Sequence, residues 1–328
     1  MRRRPKRRES PLVYAAVGAS ILAIPASAAA ATAVIAPSPD HSSSGPSIKA
    51  HVKRPSVHYG YPAVVVGRAL SSDRGRTIAL EFTRVGSGDW RQIASARVGS
   101  DGGFRLVGWP RSSGWVRAAI QAPVASAATL LPLGPRPSSS TSSSAPERLA
   151  VSATIRARPR AVNALGAQTI SVRGRLLPAG GRRWIELQTD PSGRWVAVTA
   201  ARTDARGWFV LRYRPGGLGR QLLRIRFAGD RDNAAAASGA GTVTVYQQAL
   251  ASWYDDAGTT ACGFHATYGV ANLSLPCGTK VNFEYGGRTV QAVVDDRGPY
   301  VGGRTWDLNQ NTAAALGFGG VGAVWSSR

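Results

Sequence analysis

The chain has 328 residues, a formal net charge of +23 and two cysteines. This length allows two or three domains, and the frequent Gly, Pro, Thr, Val and Trp favour strands and turns over helices. The sequence contains no phosphate-binding G-x-x-x-x-G-K-[S/T] loop and no cluster of His and Cys, so it gives no signature of a nucleotide, haem or metal site. We therefore predict no cofactor and no metal.

The N-terminal region is typical of an export signal. Six of the first eight residues are basic, and an uncharged apolar run from residue 11 to residue 37 follows. Within this run, Ala26 and Ala28 form an A-x-A cleavage signature. We predict that residues 1–36 are a signal peptide. The alternative is an uncleaved membrane anchor, because the run is long enough to span a bilayer. Either interpretation places the protein outside the cytoplasm, in the cell envelope or beyond it.

The basic charge is concentrated in the first three quarters of the chain. Residues 249–328 contain five Lys/Arg and six Asp/Glu, a net charge of −1, so residues 1–248 carry +24. The export signal argues against nucleic acid as a partner. Attraction to anionic wall polymers or to a membrane surface is one interpretation of this charge. Compositional bias combined with solubility is the other.

Two regions in the middle of the chain look like copies of one unit. They cover residues 48–122 and 149–247. A short spacer at 37–47 precedes the first copy, and the Ser/Pro-rich composition within 123–148 predicts a flexible linker between them.

Matched spacings support the repeat. Trp90 precedes Phe104 by 14 residues, and Trp195 precedes Phe209 by the same number. Short alternating strands with Gly-containing turns indicate a small antiparallel sandwich in each copy. The pair resembles the immunoglobulin-like repeats of bacterial surface proteins, although no cysteine pair joins the sheets. We interpret both tryptophans as core or corner residues and assign these domains no catalysis.

The last eighty residues have a different pattern. Alternation across residues 281–294 around Gly286 and Gly287 predicts a hairpin with a two-residue turn. Asn311 is predicted to cap a short helix at 312–316. Six or so short strands with one helix favour a compact barrel over an open sheet.

Both cysteines lie in this C-terminal region. Cys262 and Cys277 are separated by 14 residues, in a chain that is exported. A disulfide is favoured over a metal site, because two thiols with only His265 nearby make an incomplete ligand set.

Three motifs in this region support a family resemblance: TACG at 260–263, LPCGTKV at 275–281 and DDRGPYVGGRTWDLN at 295–309. Together they make residues 248–328 resemble the double-psi β-barrel of the rare lipoprotein A family, the septal-ring lytic transglycosylases. The cysteines are also similar to those of expansins, which loosen glycan contacts without cleaving them. The resemblance implies a mainly β protein that ends in a six-stranded barrel with a short helix and acts on peptidoglycan.

The implied reaction cuts the bond between N-acetylmuramic acid and N-acetylglucosamine without water and leaves a 1,6-anhydro product. One carboxyl group performs both proton transfers when neighbouring carboxylates keep it protonated. We predict Asp296 as the acid/base and Asp307 as its electrostatic partner, or the reverse. Strand parity puts Asp296 on the same face as Val294. The alternative is that both aspartates only fix turns.

Four further residues are predicted to contact the sugar chain. They are Tyr254, Arg297, Tyr300 and Trp306. Aromatic rings stack on pyranose faces, and the two tyrosines have polar or Gly neighbours that favour exposure. A structural ion pair with one of the aspartates is the alternative for Arg297.

One departure from the family pattern favours a different function. Family members usually carry a catalytic Glu shortly after T-A-x-G, whereas Phe264 and His265 follow here. The sequence has no carboxylate between Asp256 and Glu284. The alternative to an enzyme is therefore a non-catalytic, expansin-like wall-binding protein.

Overall fold

The computed structural model describes residues 48–121, 140–158 and 160–328. The predicted signal segment, the spacer and most of the predicted linker lie outside the described residues. Strands dominate, together with one α-helix and one short 3₁₀ helix, Ser71–Asp73, which confirms a mainly β protein. Within these ranges no helix is long and apolar enough to cross a membrane.

The first sandwich contains nine strands. They are β1 (Lys49–Val52), β2 (Ser56–His58), β3 (Ala63–Arg68), β4 (Thr77–Arg84), β5 (Arg91–Arg97), β6 (Gly103–Gly108), β7 (Gly114–Gln121), β8 (Ser140–Ser143) and β9 (Glu147–Ser152). The sheet β1-β3-β6 and the sheet β2-β9-β7-β4-β5 share one apolar core, with β8 beside β7.

The linker prediction needs a correction at its C-terminal end. Ser143 of β8 pairs with Ala119, and Glu147 of β9 pairs with Val116, so both strands complete the sheet of the first sandwich along β7. Composition marked this segment as a linker, but the backbone groups of β7 require partners and the Ser-rich segment supplies them.

The second sandwich contains eight strands. They are β10 (Thr154–Ala157), β11 (Arg160–Leu165), β12 (Ile170–Leu177), β13 (Trp184–Thr189), β14 (Val196–Arg202), β15 (Trp208–Tyr213), β16 (Gly219–Phe227) and β17 (Ala236–Tyr254). Its sheets are β10-β12-β15 and β14-β13-β16-β17, with β11 parallel to β17. This is the strand order of the first sandwich, in which β2 lies parallel to β9.

Side-chain packing repeats along with the strand order. Gly67 pairs with Phe104 and Gly174 pairs with Phe209, and a Cβ on either glycine would lie 2.5 Å from the phenyl ring. The two half-buried tryptophans are equally matched, because an arginine guanidinium stacks on each at 4.2 and 4.3 Å. The two copies therefore share one packing plan, while their immunoglobulin-like classification stays a prediction.

Strand β17 continues from the second sandwich into the C-terminal barrel. Its N-terminal half pairs with β16, and its C-terminal half pairs with two barrel strands, β21 (Trp306–Asn309) and β22 (Gly322–Ser326). The predicted domain boundary at residues 247 and 248 thus falls inside one uninterrupted strand.

The barrel has six strands. Besides the end of β17, β21 and β22, they are β18 (Gly269–Ala271), β19 (Lys280–Tyr285) and β20 (Arg288–Asp296). The order is β17-β21-β18-β20-β19-β22, and β22 also pairs with β17, which closes the barrel. Trp306, Phe283 and Leu308 fill its core.

Local signals in the barrel were partly correct. Tyr285 pairs with Arg288 across Gly286 and Gly287, whose φ values are +58° and +83°, so the predicted two-residue turn is confirmed. The helix α1 (Gln310–Leu316) begins two residues earlier than predicted.

The predicted helix cap was wrong by two residues. Asn309, not Asn311, caps α1: its side chain accepts a hydrogen bond from the Thr312 amide at 2.9 Å. Asn309 ends strand β21 with extended backbone angles, the conformation that an N-cap residue requires. The strand and the helix therefore join directly at this residue.

The predicted disulfide between Cys262 and Cys277 is present, with Cα atoms 5.8 Å apart. It joins the loop after β17 to the loop between β18 and β19. We expect the double variant Cys262→Ser/Cys277→Ser to lose about 3 kcal/mol of unfolding free energy, because a loop of this length restricts the unfolded chain by that amount. Urea denaturation measures the loss. Reductant should lower the midpoint of the wild type and leave that of the double variant unchanged; equal wild-type and variant midpoints would contradict the expectation.

Candidate active site

The strand register places four residues in one row across four neighbouring strands. Ser252 pairs with Asp307, Asp307 pairs with Ala271, and Ala271 pairs with Asp296. Paired residues project to the same face of a sheet, so the two aspartates flank the small Ala271 side chain on one face. At a spacing of about 4.8 Å per strand, their Cα atoms lie about 10 Å apart.

A β-bulge puts Asp296 in this row. Val294 pairs with Val270, but the next pair is Asp296 with Ala271, so Asp295 is an extra residue on β20. Strand parity alone gave Asp296 the face of Val294, which packs in the barrel core. The extra residue reverses that parity and turns Asp296 toward the face of Asp307.

The Asp296 carboxylate has one oxygen bound and one oxygen available. Oδ1 accepts hydrogen bonds from the amides of Ala261 and Arg297, both at 2.8 Å. Oδ2 accepts none from the described residues and is not among the buried atoms without partners. The backbone therefore orients the carboxylate while Oδ2 remains open to solvent.

Asp307 has a similar arrangement. Its Oδ1 accepts a hydrogen bond from the Ser252 hydroxyl at 2.7 Å, and Ser252 itself is buried. Within the described ranges its Oδ2 also has no protein donor and is not enclosed. Each aspartate is thus fixed through one oxygen and presents the other.

The hydroxyl of Tyr254 lies among these carboxylates. Burial raises the pKa of Tyr254 well above its usual value, and the negative charges of Asp295, Asp296, Asp256 and Asp307 raise it further. The hydroxyl oxygen is buried and has no hydrogen-bond partner among the described residues. Exposure was predicted for this residue, but only its ring is partly accessible.

Asp256 is a site carboxylate that the sequence did not single out. Its Oδ2 accepts a hydrogen bond from Asn309 at 2.9 Å and lies 3.9 Å from Nδ1 of His265. The one available signal was its position directly after the Trp-Tyr end of β17. It adds an acidic group from a third segment of the chain.

Asp295 is fully buried and holds the loop before β18. Burial raises the pKa of its carboxyl group, whereas hydrogen bonds from the amides of Ala266 and Val270 oppose that rise. A Cβ at Gly269 would lie 2.2 Å from Oδ2, so glycine is required beside this carboxyl. Asp295 therefore has a structural position and no access to a ligand.

The predicted substrate contacts differ widely in accessibility. Tyr300 is 80% exposed, whereas Trp306 is 1% exposed and packs edge-on against Phe283 at 5.1 Å. The prediction that Trp306 contacts a sugar is wrong, because strand alternation turns it into the barrel core. Its neighbour in sequence, Asp307, faces the site for the same reason.

Arg297 binds the backbone of a neighbouring loop. Its guanidinium donates to the carbonyl oxygens of Asn272 and Leu275 at 3.2 and 3.0 Å and to the sulfur of Cys277 at 3.1 Å. In the part of the chain that the structure describes, it forms no ion pair with either site aspartate. Its contacts position the disulfide loop beside the row.

Asn309 links the site to the helix. Its Nδ2 donates to Asp256 and to the carbonyl oxygens of Ala266 and Thr267, while Oδ1 caps α1. We expect Asn309→Ala to lose about 2–4 kcal/mol of unfolding free energy, the sum of a lost cap and buried acceptors left unpaired. Urea denaturation measures this loss.

The variant Asn309→Asp provides the matched comparison. It keeps the oxygen that caps α1 but replaces the donor with a second carboxylate beside Asp256. We expect it to be destabilised at neutral pH and to recover stability when acid protonates the pair. Stability equal to the wild type at neutral pH would show that these donor contacts are unimportant.

Comparison with known families bears on this region. Residues 246–325 match the family described as lytic transglycolase. The C-terminal domain is a double-psi β-barrel of this family. The match begins inside β17 and includes the whole aspartate row. Comparison with curated proteins finds no match for the chain. Among the described residues, the double-psi barrel and the sandwiches contain no group of three or more His, Cys, Asp or Glu able to hold a metal ion.

Proposed function

We propose that the double-psi barrel is a lytic transglycosylase that cleaves peptidoglycan between N-acetylmuramic acid and N-acetylglucosamine. The observation that supports it best is the row in which Asp296 and Asp307 flank Ala271 with one oxygen each toward solvent. The family match supports a cell-wall substrate. An exported location, which this substrate requires, is part of the proposal.

In the proposed reaction Asp296 acts first as acid and then as base. Its carboxyl proton moves to the glycosidic oxygen while the C1–O bond breaks. The resulting carboxylate then removes the proton of the C6 hydroxyl, whose oxygen bonds to C1 and closes the 1,6-anhydro ring. No water is consumed, and the acid ends in its starting form.

The remaining carboxylates supply negative charge. The bond-breaking step develops positive charge on the sugar ring, and a fixed carboxylate on the same face stabilises it. Asp307 has this position in the row. Asp256 adds charge from the segment before Thr260, the part of the chain in which family members carry the catalytic Glu that is absent here.

Digestion of purified sacculi tests the proposal. The full chain should release muropeptides that end in 1,6-anhydro-N-acetylmuramic acid, identified by mass spectrometry. Products with a reducing end would indicate hydrolysis instead. Absence of any product, with the protein still bound to the sacculi, would overturn the enzyme.

The second candidate is a non-catalytic, expansin-like protein that binds and loosens the wall. Phe264 favours it, because this side chain is 41% exposed where the family motif has a carboxylate. An exposed ring suits contact with a sugar face. Under this alternative the sacculi would soften without releasing anhydro products.

A further inference from the structure

The second sandwich contains an open groove of about 890 Å³, far from the residues of the aspartate row in sequence. It opens between the two sheets, where β10, β11 and β12 meet β16 and β17. Its floor is apolar and consists of five aliphatic residues: Val162, Ile170, Val172, Leu223 and Ala240.

The rim of this groove is strongly basic. Five arginines line it, and none of the lining residues is Asp or Glu: Arg156, Arg158, Arg160, Arg173 and Arg175. Arg175 donates a hydrogen bond to the carbonyl of Arg206. The other four are exposed and form no ion pair with any residue that the structure describes. Positive charge is therefore concentrated here without internal neutralisation.

The repeat provides an internal comparison. Gly67 pairs with Ala50, and Gly174 pairs with Ala157, so β10 corresponds to β1 at an offset of 107 residues. The same offset relates Val172 to Val65, and the groove therefore has a counterpart in the first sandwich. That counterpart, lined by Ala50, Val65 and their neighbours, has a volume of only about 10 Å³.

A carboxylate of the chain itself closes the first sandwich at this place. Glu147 lines the small cavity, and its Oε2 accepts a hydrogen bond from the Val52 amide at 2.7 Å. In the second sandwich Gly241 takes this position, since Leu223 pairs with Gly241 as Val116 pairs with Glu147. Glycine has no side chain to fill the gap. The second copy thus lacks both the filling group and its negative charge.

We infer that this arginine-lined groove binds an anionic polymer chain, whose phosphate or carboxylate groups take the place that Glu147 has in the first sandwich. Guanidinium groups bind both kinds of anion through paired hydrogen bonds. The arginines are spread over β10, β11 and β12, so the groove suits charges repeated along a chain better than one headgroup. Trp208, 53% exposed with Arg175 over its ring, extends the binding surface at one end.

Binding of defined polymers to the full chain tests this inference. The probes are poly(glycerol phosphate) and polygalacturonate, with uncharged dextran and phosphatidylglycerol vesicles for comparison. The groove variant combines Arg156→Gln, Arg158→Gln and Arg173→Gln. The matched control combines Arg182→Gln, Arg194→Gln and Arg214→Gln, which removes the same charge from exposed positions that do not line the groove.

The groove variant should bind a charged polymer at least about tenfold more weakly than the wild type, since each arginine–anion contact is a charge-assisted hydrogen bond. The control should stay within about twofold, because the general attraction of net charge is shared. Circular dichroism checks that both variants are folded, as expected for exposed side chains. The polymer with the greater dependence on the groove arginines identifies the charged group.

Three results would overturn the inference. Equal weakening in both triple variants would show attraction to net charge alone. Failure of the wild type to bind either charged polymer would remove the ligand. Binding to the anionic vesicles only would replace the polymer with a lipid surface. None of these results depends on whether the barrel cleaves glycan.

Discussion

The variant Asp296→Asn is expected to lower the rate of 1,6-anhydro product release by about 100- to 10,000-fold, the usual contribution of a positioned acid/base group. Asparagine has nearly the same shape and keeps an Oδ1 that accepts from the Ala261 and Arg297 amides. The fold and sacculus binding should therefore be preserved while proton transfer is lost. Initial rates from sacculi, together with co-sedimentation, separate these quantities.

Two further variants sharpen this test. Asp307→Asn should reduce the rate less than Asp296→Asn, because a charge-stabilising group transfers no proton. The opposite order would make Asp307 the acid/base. Asp255→Asn is the matched control, since Asp255 is exposed in the same domain and outside the row. A rate for Asp296→Asn equal to that of this control would contradict the proposed mechanism.

Trp306→Ala is expected to lose about 3–5 kcal/mol of unfolding free energy, the usual cost of removing a large aromatic side chain from a core. The residue is 1% exposed and contacts Phe283 edge-on, so the substitution leaves a cavity at the centre of the barrel. Urea denaturation measures the loss. A variant of wild-type stability with weakened glycan binding would return Trp306 to the surface role that the sequence suggested.

Tyr300→Ala is the comparison for that experiment. Tyr300 is 80% exposed, so its removal should change stability by less than about 0.5 kcal/mol. Trp306→Phe tests the core contact itself. It keeps a ring against Phe283 and removes an indole N–H that is buried without a partner, so it should lose less than half of the alanine effect.

Several elements were predictable because their signals are local. The Gly286-Gly287 turn follows from two adjacent residues that accept positive φ, and the Cys262–Cys277 bond follows from cysteine count and export context. The repeat was visible because Gly67 and Gly174 each lie against a phenylalanine at matched spacing. Such features depend on few residues that are near in sequence or repeated in it.

The site was harder to predict. Asp256 and Asn309 lie 53 residues apart, and only folding joins them through a 2.9 Å hydrogen bond. Trp306 carries an aromatic ring in a Gly-rich segment, which suggested exposure until strand pairing turned it inward. Composition likewise concealed β8, whose serines complete a sheet edge within a segment that reads as linker.

The sequence by itself determined the mainly β architecture, the repeated sandwiches, the disulfide and the family of the barrel, because each rests on residue chemistry at short spacing. Tertiary structure alone decided which face Asp296 occupies and which sandwich stays open. The bulge at Asp295 exists only in the pairing of β20 with β18, and Gly241 leaves a groove only where Glu147 closes its counterpart. Both depend on the register between strands distant in the chain, for which no local pattern carries a signal.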